Sequence, residues 1–272
     1  MLLFNPTIYT TAGIYSMLVL CLVTAVFVLA QLKQDNSIMD IFYGPIYAIS
    51  FWGTWYLVGM PGGVSVLVGA LVTLWALRLG GRIARKNWNQ PEDARYAAWR
   101  TEWCQRGSVY FLIRSYLQIK ILQGFIIVLV ATPLWLTLGL VSIPTTGVLI
   151  LGAMVVLTGI LYESIADWQL DAFIARKKAD TTEATLMKTG LFRYSRRPNY
   201  FGESLVWWGF ALLVVSNGLD TWFVLVSPIL ITYILLRVTG PMLEEHFLEK
   251  YPQAYAAYMA ETNYFIPGPP TT

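Results

Sequence analysis

Charged side chains are scarce in this 272-residue chain: 13% of residues are charged, against 56% hydrophobic. Mean hydropathy is +0.55. Soluble domains carry about twice that share of charge, so a water-soluble fold would lack the polar surface to cover itself. Lipid is the natural solvent for so much apolar surface. Histidine is nearly absent, with His246 alone, which excludes a zinc or haem site built on several imidazoles. Cys21 and Cys104 are the only cysteines; one falls in an apolar run and the other in a basic stretch, so no disulfide or metal pair is expected. Gly-x-Gly-x-x-Gly, Walker and Gly-x-Ser-x-Gly sequences are also missing. A Rossmann domain, a P-loop and a Ser-His-Asp hydrolase are thereby set aside, and no nucleic-acid partner is expected.

Long apolar runs are abundant. Seven segments suit a bilayer span, which needs roughly 20 residues: about 12–31, 38–59, 63–80, 121–142, 144–165, 203–217 (starting near Tyr194) and 220–237. The first reads as a retained helix because no basic region precedes it. Pro144 and Asn217-Gly218 predict tight turns. The expected architecture is an all-α, seven-helix membrane protein, 1–272 forming one domain, with cytoplasmic segments 82–120 and 166–202 and a tail from 238. Trp88, Trp99 and Trp103 suit a helix at headgroup level.

Lys and Arg are placed one-sidedly. Loop 32–37 has one, 78–120 nine, 166–202 seven and the tail from Arg237 two, which is all 19. The intervening turns have none. By the positive-inside rule the N-terminus lies outside and the C-terminus in the cytoplasm.

Ionisable residues at helix depth mark candidate sites, because charge in hydrocarbon is costly. Asp40 opens the second span, and Tyr43 and Tyr47 follow on its face. Glu163 and Asp167 end the fifth, Glu203 opens the sixth and Arg237 ends the seventh. The alternative for each is an interfacial residue that snorkels or pairs; together they favour a polar cavity. Arg78, Arg82 and Arg85 share one helical face, joined by Arg193, Arg196 and Arg197. Guanidinium groups bind phosphate bidentately, whether on a cofactor or on lipid headgroups. Around Pro198, Ser195 or Asn199 can cap a helix start, where an anion is also favoured.

The stretch Gly190-Leu191-Phe192-Arg193-Tyr194-Ser195-Arg196-Arg197-Pro198-Asn199-Tyr200-Phe201-Gly202-Glu203 resembles the signature of the bacterial DUF1295 membrane proteins, which belong with the steroid 5-alpha-reductase family. The likeness extends to Asp40-Ile41-Phe42-Tyr43-Gly44, Leu77-Arg78-Leu79, Glu92-Asp93-Ala94-Arg95-Tyr96, Ala166-Asp167-Trp168-Gln169 and Leu236-Arg237-Val238-Thr239-Gly240-Pro241. It implies a bacterial inner-membrane enzyme that binds NADPH from the cytoplasmic side and reduces a carbon–carbon double bond conjugated to a carbonyl in a steroid or other lipid. By that resemblance Asn199 and Glu203 hold the nicotinamide end, Glu163 and Asp167 contact the cofactor and Arg237 lies near its phosphates, with Arg176 a looser match; Arg78, Arg82, Arg197 and Tyr200 are further cofactor-binding candidates from the basic and aromatic residues themselves. Glu163 departs from an Asn in the reductases. Those enzymes are thought to polarise the enone with a Glu and a Tyr from the second and third spans; the third span here has neither, which leaves Asp40, Tyr43 and Tyr47.

Two other readings stay open. Methyltransferases that use S-adenosylmethionine on prenylated or lipid substrates share a related Arg-His-Pro-x-Tyr-x-Gly signature, but Arg197 precedes Pro198 here. A non-enzymatic lipid-binding protein would also explain the arginines.

Overall fold

The computed structural model describes residues 6–88, 90–139, 146–182, 184–215 and 219–271, all of whose regular elements are helical. In chain order these are α1 (Pro6–Lys33), α2 (Ile38–Leu57), α3 (Val64–Asn87), α4 (Ala94–Cys104), α5 (Ser108–Val130), α6 (Thr132–Gly139), α7 (Thr146–Lys178), α8 (Pro198–Val215), α9 (Trp222–Lys250) and α10 (Pro252–Glu261). Among the described residues α1, α3, α5, α7 and α9 are long and apolar enough to cross a bilayer, and the chain is read as membrane-embedded. The turns expected at Pro144 and Asn217-Gly218 lie outside the described residues.

Several boundaries differ from expectation; α3 runs to Asn87, past 80, and α9 to Lys250, past 237. The fourth apolar run is part of a helix that starts at Ser108, well inside the stretch assigned to a cytoplasmic segment, and 132–139 forms a separate buried helix. Arg106 just before α5 and Arg114 in its second turn concealed it. Likewise α7 continues to Lys178, beyond the predicted end near 165, because its last turns bury only one side.

The chain divides into two compact units, Met1–Pro144 with Val214–Val224, and Thr145–Leu213 with Leu225–Thr272. In the first, α2 and α3 pack antiparallel through glycine: a Cβ on Gly44 would lie 3.1 Å from the Ala76 carbonyl oxygen, and one on Gly80 2.9 Å from Pro45. Below them α4 is pinned, not afloat. Trp103 is buried with Tyr96, Phe111 and Ile119, and only Trp88 and Trp99 of the three tryptophans are exposed.

In the second unit α7 and α8 are antiparallel and in backbone contact. Gly152 meets Leu213, Val156 meets Gly209, Gly159 meets Val206, and Glu163 meets Gly202. Each step along α7 is matched by an equal step back along α8. Small residues allow such approach where lipid leaves packing, not hydrophobicity, to join helices. Added atoms at Gly159 would fall 2.7 Å from the Val206 backbone nitrogen.

Gly159→Ala is therefore expected to cost about 1–3 kcal/mol by overpacking. Gly147→Ala, on the same helix with nothing within 4 Å of the new Cβ, should be neutral or better. Thermal unfolding of both variants in detergent checks the pair; equal midpoints would contradict the contact.

The Asp93 carboxylate caps α4, accepting the Arg95 backbone N–H at 3.0 Å and its Nε at 3.0 Å. Burial raises this carboxyl, but the hydrogen bonds and charge of Arg95 outweigh it and hold it below its ordinary 3.8. The cap therefore stabilises α4 fully above that value and is lost as pH falls through the lower folded one. Asp93→Ala should cost about 1 kcal/mol at neutral pH and nothing once both chains are in acid, as unfolding at the two pH values would show.

Candidate functional site

The register of α7 against α8 builds the strongest polar cluster. Gly202 has no side chain, so α8 lies directly on the backbone of Glu163, with a Gly202 Cβ only 2.8 Å from the Glu163 nitrogen. Glu163 and Glu203 are thereby brought to one helix–helix seam, and both are buried. One turn further along α7 is Asp167, also buried; continuing the same register sets it level with Pro198 and Asn199 at the start of α8. Glu203 accepts the Trp207 indole N–H at 2.9 Å. Asn199 and Tyr200 are half-buried on the first turn of α8. Four of the expected residues, Glu163, Asp167, Asn199 and Glu203, thus gather.

The arginines do not form one mouth. Arg196 is buried inside the unit: its guanidinium donates to Glu244 Oε1 at 2.9 Å and Oε2 at 3.3 Å, and to the carbonyls of Met259 and Thr262 at 3.1 and 2.7 Å. Four of its five N–H donors are spent in this way, so it clamps the C-terminal segment. Arg197 is buried too, over the rings of Tyr200 and Phe247, with one nitrogen 3.4 Å from the Tyr255 hydroxyl. Burial pushes that hydroxyl up to about 12, so Tyr255 stays protonated and donates to Glu244 at 3.1 Å. Arg193 is exposed beside the Pro267–Pro270 strap.

The C-terminal strap sits on the same turn. The Arg196 N–H donates to the Asn263 carbonyl at 2.8 Å and the Gly268 N–H to Tyr194 at 3.0 Å. Ser195 Oγ donates to Phe265 at 2.8 Å and accepts the Arg197 N–H at 3.1 Å, closing a turn just before α8 and not bonding an amide within the helix. Gly190 turns with φ +62, and the Gln169 side chain accepts the next amide, Leu191, at 2.9 Å.

Arg237 and Arg176 stand apart from the cluster. Exposed Arg237 lines a groove of about 640 Å³ with Glu244, Glu245 and Glu249, whose carboxylates disfavour phosphate. Arg176 lines a separate cavity at the end of α7, about 13 Å of helical rise beyond Asp167.

Asp40, Tyr43, Tyr47, Arg78 and Arg82 belong to the first unit. Tyr43 and Tyr47 hydroxyls are 2.9 Å apart and Tyr47 packs edge-on against Trp75. Asp40 instead accepts the hydroxyl of Tyr96 at 2.9 Å, with Arg95 at 3.7 Å and Gln123 donating to the same phenol at 3.4 Å. Burial and then the Asp40 charge raise the Tyr96 hydroxyl well above its ordinary value. Beside it, fully buried Lys120 donates to the Asn36 carbonyl at 3.1 Å, and the Asn36 N–H donates to Glu92 at 2.7 Å, which Arg100 grips with two nitrogens. Arg78 and Arg82 are half-buried on α3.

Tyr96 is the residue that inspection of spans overlooked. It lies on α4, outside every apolar run. Its one signal was its place in Glu92-Asp93-Ala94-Arg95-Tyr96, a stretch already noted for its resemblance.

The DUF1295 family model, described as a protein of unknown function, matches residues 26–262. The chain belongs to this family. No curated protein and no solved structure matches it. The DUF1295 match takes in Asp40 and Tyr96 of the first unit and the Glu163, Asp167, Asn199 and Glu203 cluster of the second.

Within this DUF1295 chain Arg196 and Glu244 form a shielded pair whose loss strands a buried charge. Arg196→Gln or Glu244→Gln should each cost about 3 kcal/mol or more, whereas Arg193→Gln at the exposed neighbour should change stability little. Unfolding midpoints decide it; equal effects at 193 and 196 would contradict the clamp.

Proposed function

We propose that the protein is an NADPH-dependent membrane reductase acting on a carbon–carbon double bond conjugated to a carbonyl in a steroid-like or other lipid substrate. The observation that carries this reading is the burial of Glu163, Asp167 and Glu203 on facing turns of α7 and α8. Burying carboxylates is costly, and three of them on facing turns beside Asn199 suit the recognition of a polar ligand. With Asn199 they match the resemblance's cofactor-holding positions. In this proposal α2 and α8 cross the bilayer with the five longer helices, the N-terminus lies outside and the C-terminus in the cytoplasm of an inner membrane.

The bound cofactor supplies a hydride. The residues of the chain supply the rest. Asn199 and Glu203 would hold the nicotinamide end by hydrogen bonds and Glu163 and Asp167 would contact the cofactor beside it, with buried Arg197 just before α8. In the first unit, considered by itself, Tyr96 and Asp40 are a hydrogen-bonded phenol and carboxyl, the pairing first offered to Asp40 with Tyr43 and Tyr47.

One observation favours a second reading. Arg196 is engaged within the protein, which removes a phosphate partner from the argument and strengthens a cofactor without phosphates, S-adenosylmethionine. Thermal shift of the purified protein with NADPH, NADH and S-adenosylmethionine separates the two. NADPH is expected to stabilise most, and loss of reduced-nicotinamide absorbance should follow addition of enone lipids. Asn199→Ala with Glu203→Ala should abolish cofactor stabilisation. Absence of saturable NADPH binding by the intact protein would end the reductase reading.

A further inference from the structure

The end of α7 holds a cavity of about 380 Å³ that none of the site residues but Arg176 enters. Two cations line it, Arg176 and Lys188, together with the hydroxyl-bearing Thr182, Thr185 and Thr189. Phe173 and Met187 supply an apolar wall. Among the described lining residues there is no carboxylate. Contrast the groove at Arg237, where three glutamates meet one arginine.

The neighbouring cations show how this cavity is built. Lys177 Nζ donates to the Thr185 carbonyl at 2.9 Å and to the Tyr251 hydroxyl at 3.0 Å, tying the loop that forms one wall to α10. Behind that wall Leu186 is buried with Tyr255 and Tyr258. Lys188 Nζ lies 5.3 Å from the centre of the Tyr258 ring and pairs with Glu261 at 4.0 Å, a long contact that a phosphate could supplant. Arg176 is exposed and holds no ion pair among the described residues. A helix C-terminus ordinarily disfavours an anion. Here the carbonyls of Ala175, Arg176 and Lys177 accept the amides of Ala179, Thr181 and Asp180, which answers that partial charge locally.

We propose that this cavity binds a phosphomonoester, its phosphate between Arg176 and Lys188 and its organic group against Phe173 and Met187. Two positive charges complement the near-double negative charge of a phosphomonoester at neutral pH. A guanidinium offers it paired donors, and hydroxyls add further ones. The volume lies within the range of small-molecule sites. The proposal does not depend on the reductase reading, because it concerns phosphate recognition at residues other than the Glu163–Glu203 cluster.

Calorimetric titration of the full chain in non-ionic detergent tests it with two probes. Phenyl phosphate represents a soluble ligand and dihexanoyl phosphatidic acid a lipid headgroup. Saturable binding of either is expected, and the tighter of the two identifies the source. Arg176→Gln and Lys188→Gln should each weaken it about tenfold, while Arg193→Gln, at a different cavity, should leave it unchanged. A failure to saturate with both probes overturns the proposal in the unsubstituted protein alone. So does equal binding to folded Arg176→Gln and Lys188→Gln variants. NADPH is absent from these titrations, so their outcome is separate from that of the cofactor experiment.

Discussion

At Gly202 the backbone of α8 rests on the backbone of Glu163, and the polar cluster of the second unit exists because of that contact. A side chain at 202 would push the helices apart and open the seam. With glycines at 152, 159, 202 and 209 the two helices stay in register over most of α8, so the positions of Glu163, Asp167, Asn199 and Glu203 follow from one antiparallel alignment. The same alignment explains their burial. Burying three carboxylates there carries a desolvation cost.

Both units solve a second problem, how to keep polar groups inside apolar helices satisfied, with a local widening of a helix. In α5 a π-helical turn covers Ser115–Ile121, and in α9 another covers Ile234–Thr239. Such turns are rare and shift the hydrogen-bond ladder by one residue. In the first, buried Lys120 reaches the Asn36 carbonyl and Ser115 reaches the Asn36 side chain at 2.9 Å. In the second, the Tyr264 hydroxyl donates to the Leu236 carbonyl at 3.1 Å. A polar group from elsewhere in the same unit meets each distorted turn.

The helical class, the membrane character and the burial of Glu163, Asp167 and Glu203 were all legible in apolar runs and in the cost of charge at depth. Helix ends were less so. The start of α5 was hidden because Arg106 and Arg114 look like loop charges, while in space they lie over the Tyr110 ring and face outward. Partner choice was illegible. Asp40 and Tyr43 share a helix face by spacing, yet Asp40 takes its hydrogen bond from Tyr96 on another helix, and no spacing rule relates residues that meet only through tertiary packing. The cluster Arg193, Arg196 and Arg197 looked like one anion site for the same reason: the role of each depends on Glu244, Tyr255 and the strap.

That strap links the polar seam to the rest of its unit. Arg196 holds it at Met259 and Thr262, Ser195 at Phe265, and Tyr194 at Gly268. Tyr264 lies within it, and a Cβ on Gly240 would collide with the Tyr264 hydroxyl, so the close seat of this ring on α9 requires glycine there. The turn that leads into α8, the helix carrying Asn199 and Glu203, is therefore fixed from outside by the last residues of the chain. Buried arginine suits this task better than lysine would, because a planar fork can hold a carboxylate and two carbonyls at once. The arginine that a motif reading assigns to a ligand instead sets the geometry of the helix start on which a ligand would depend.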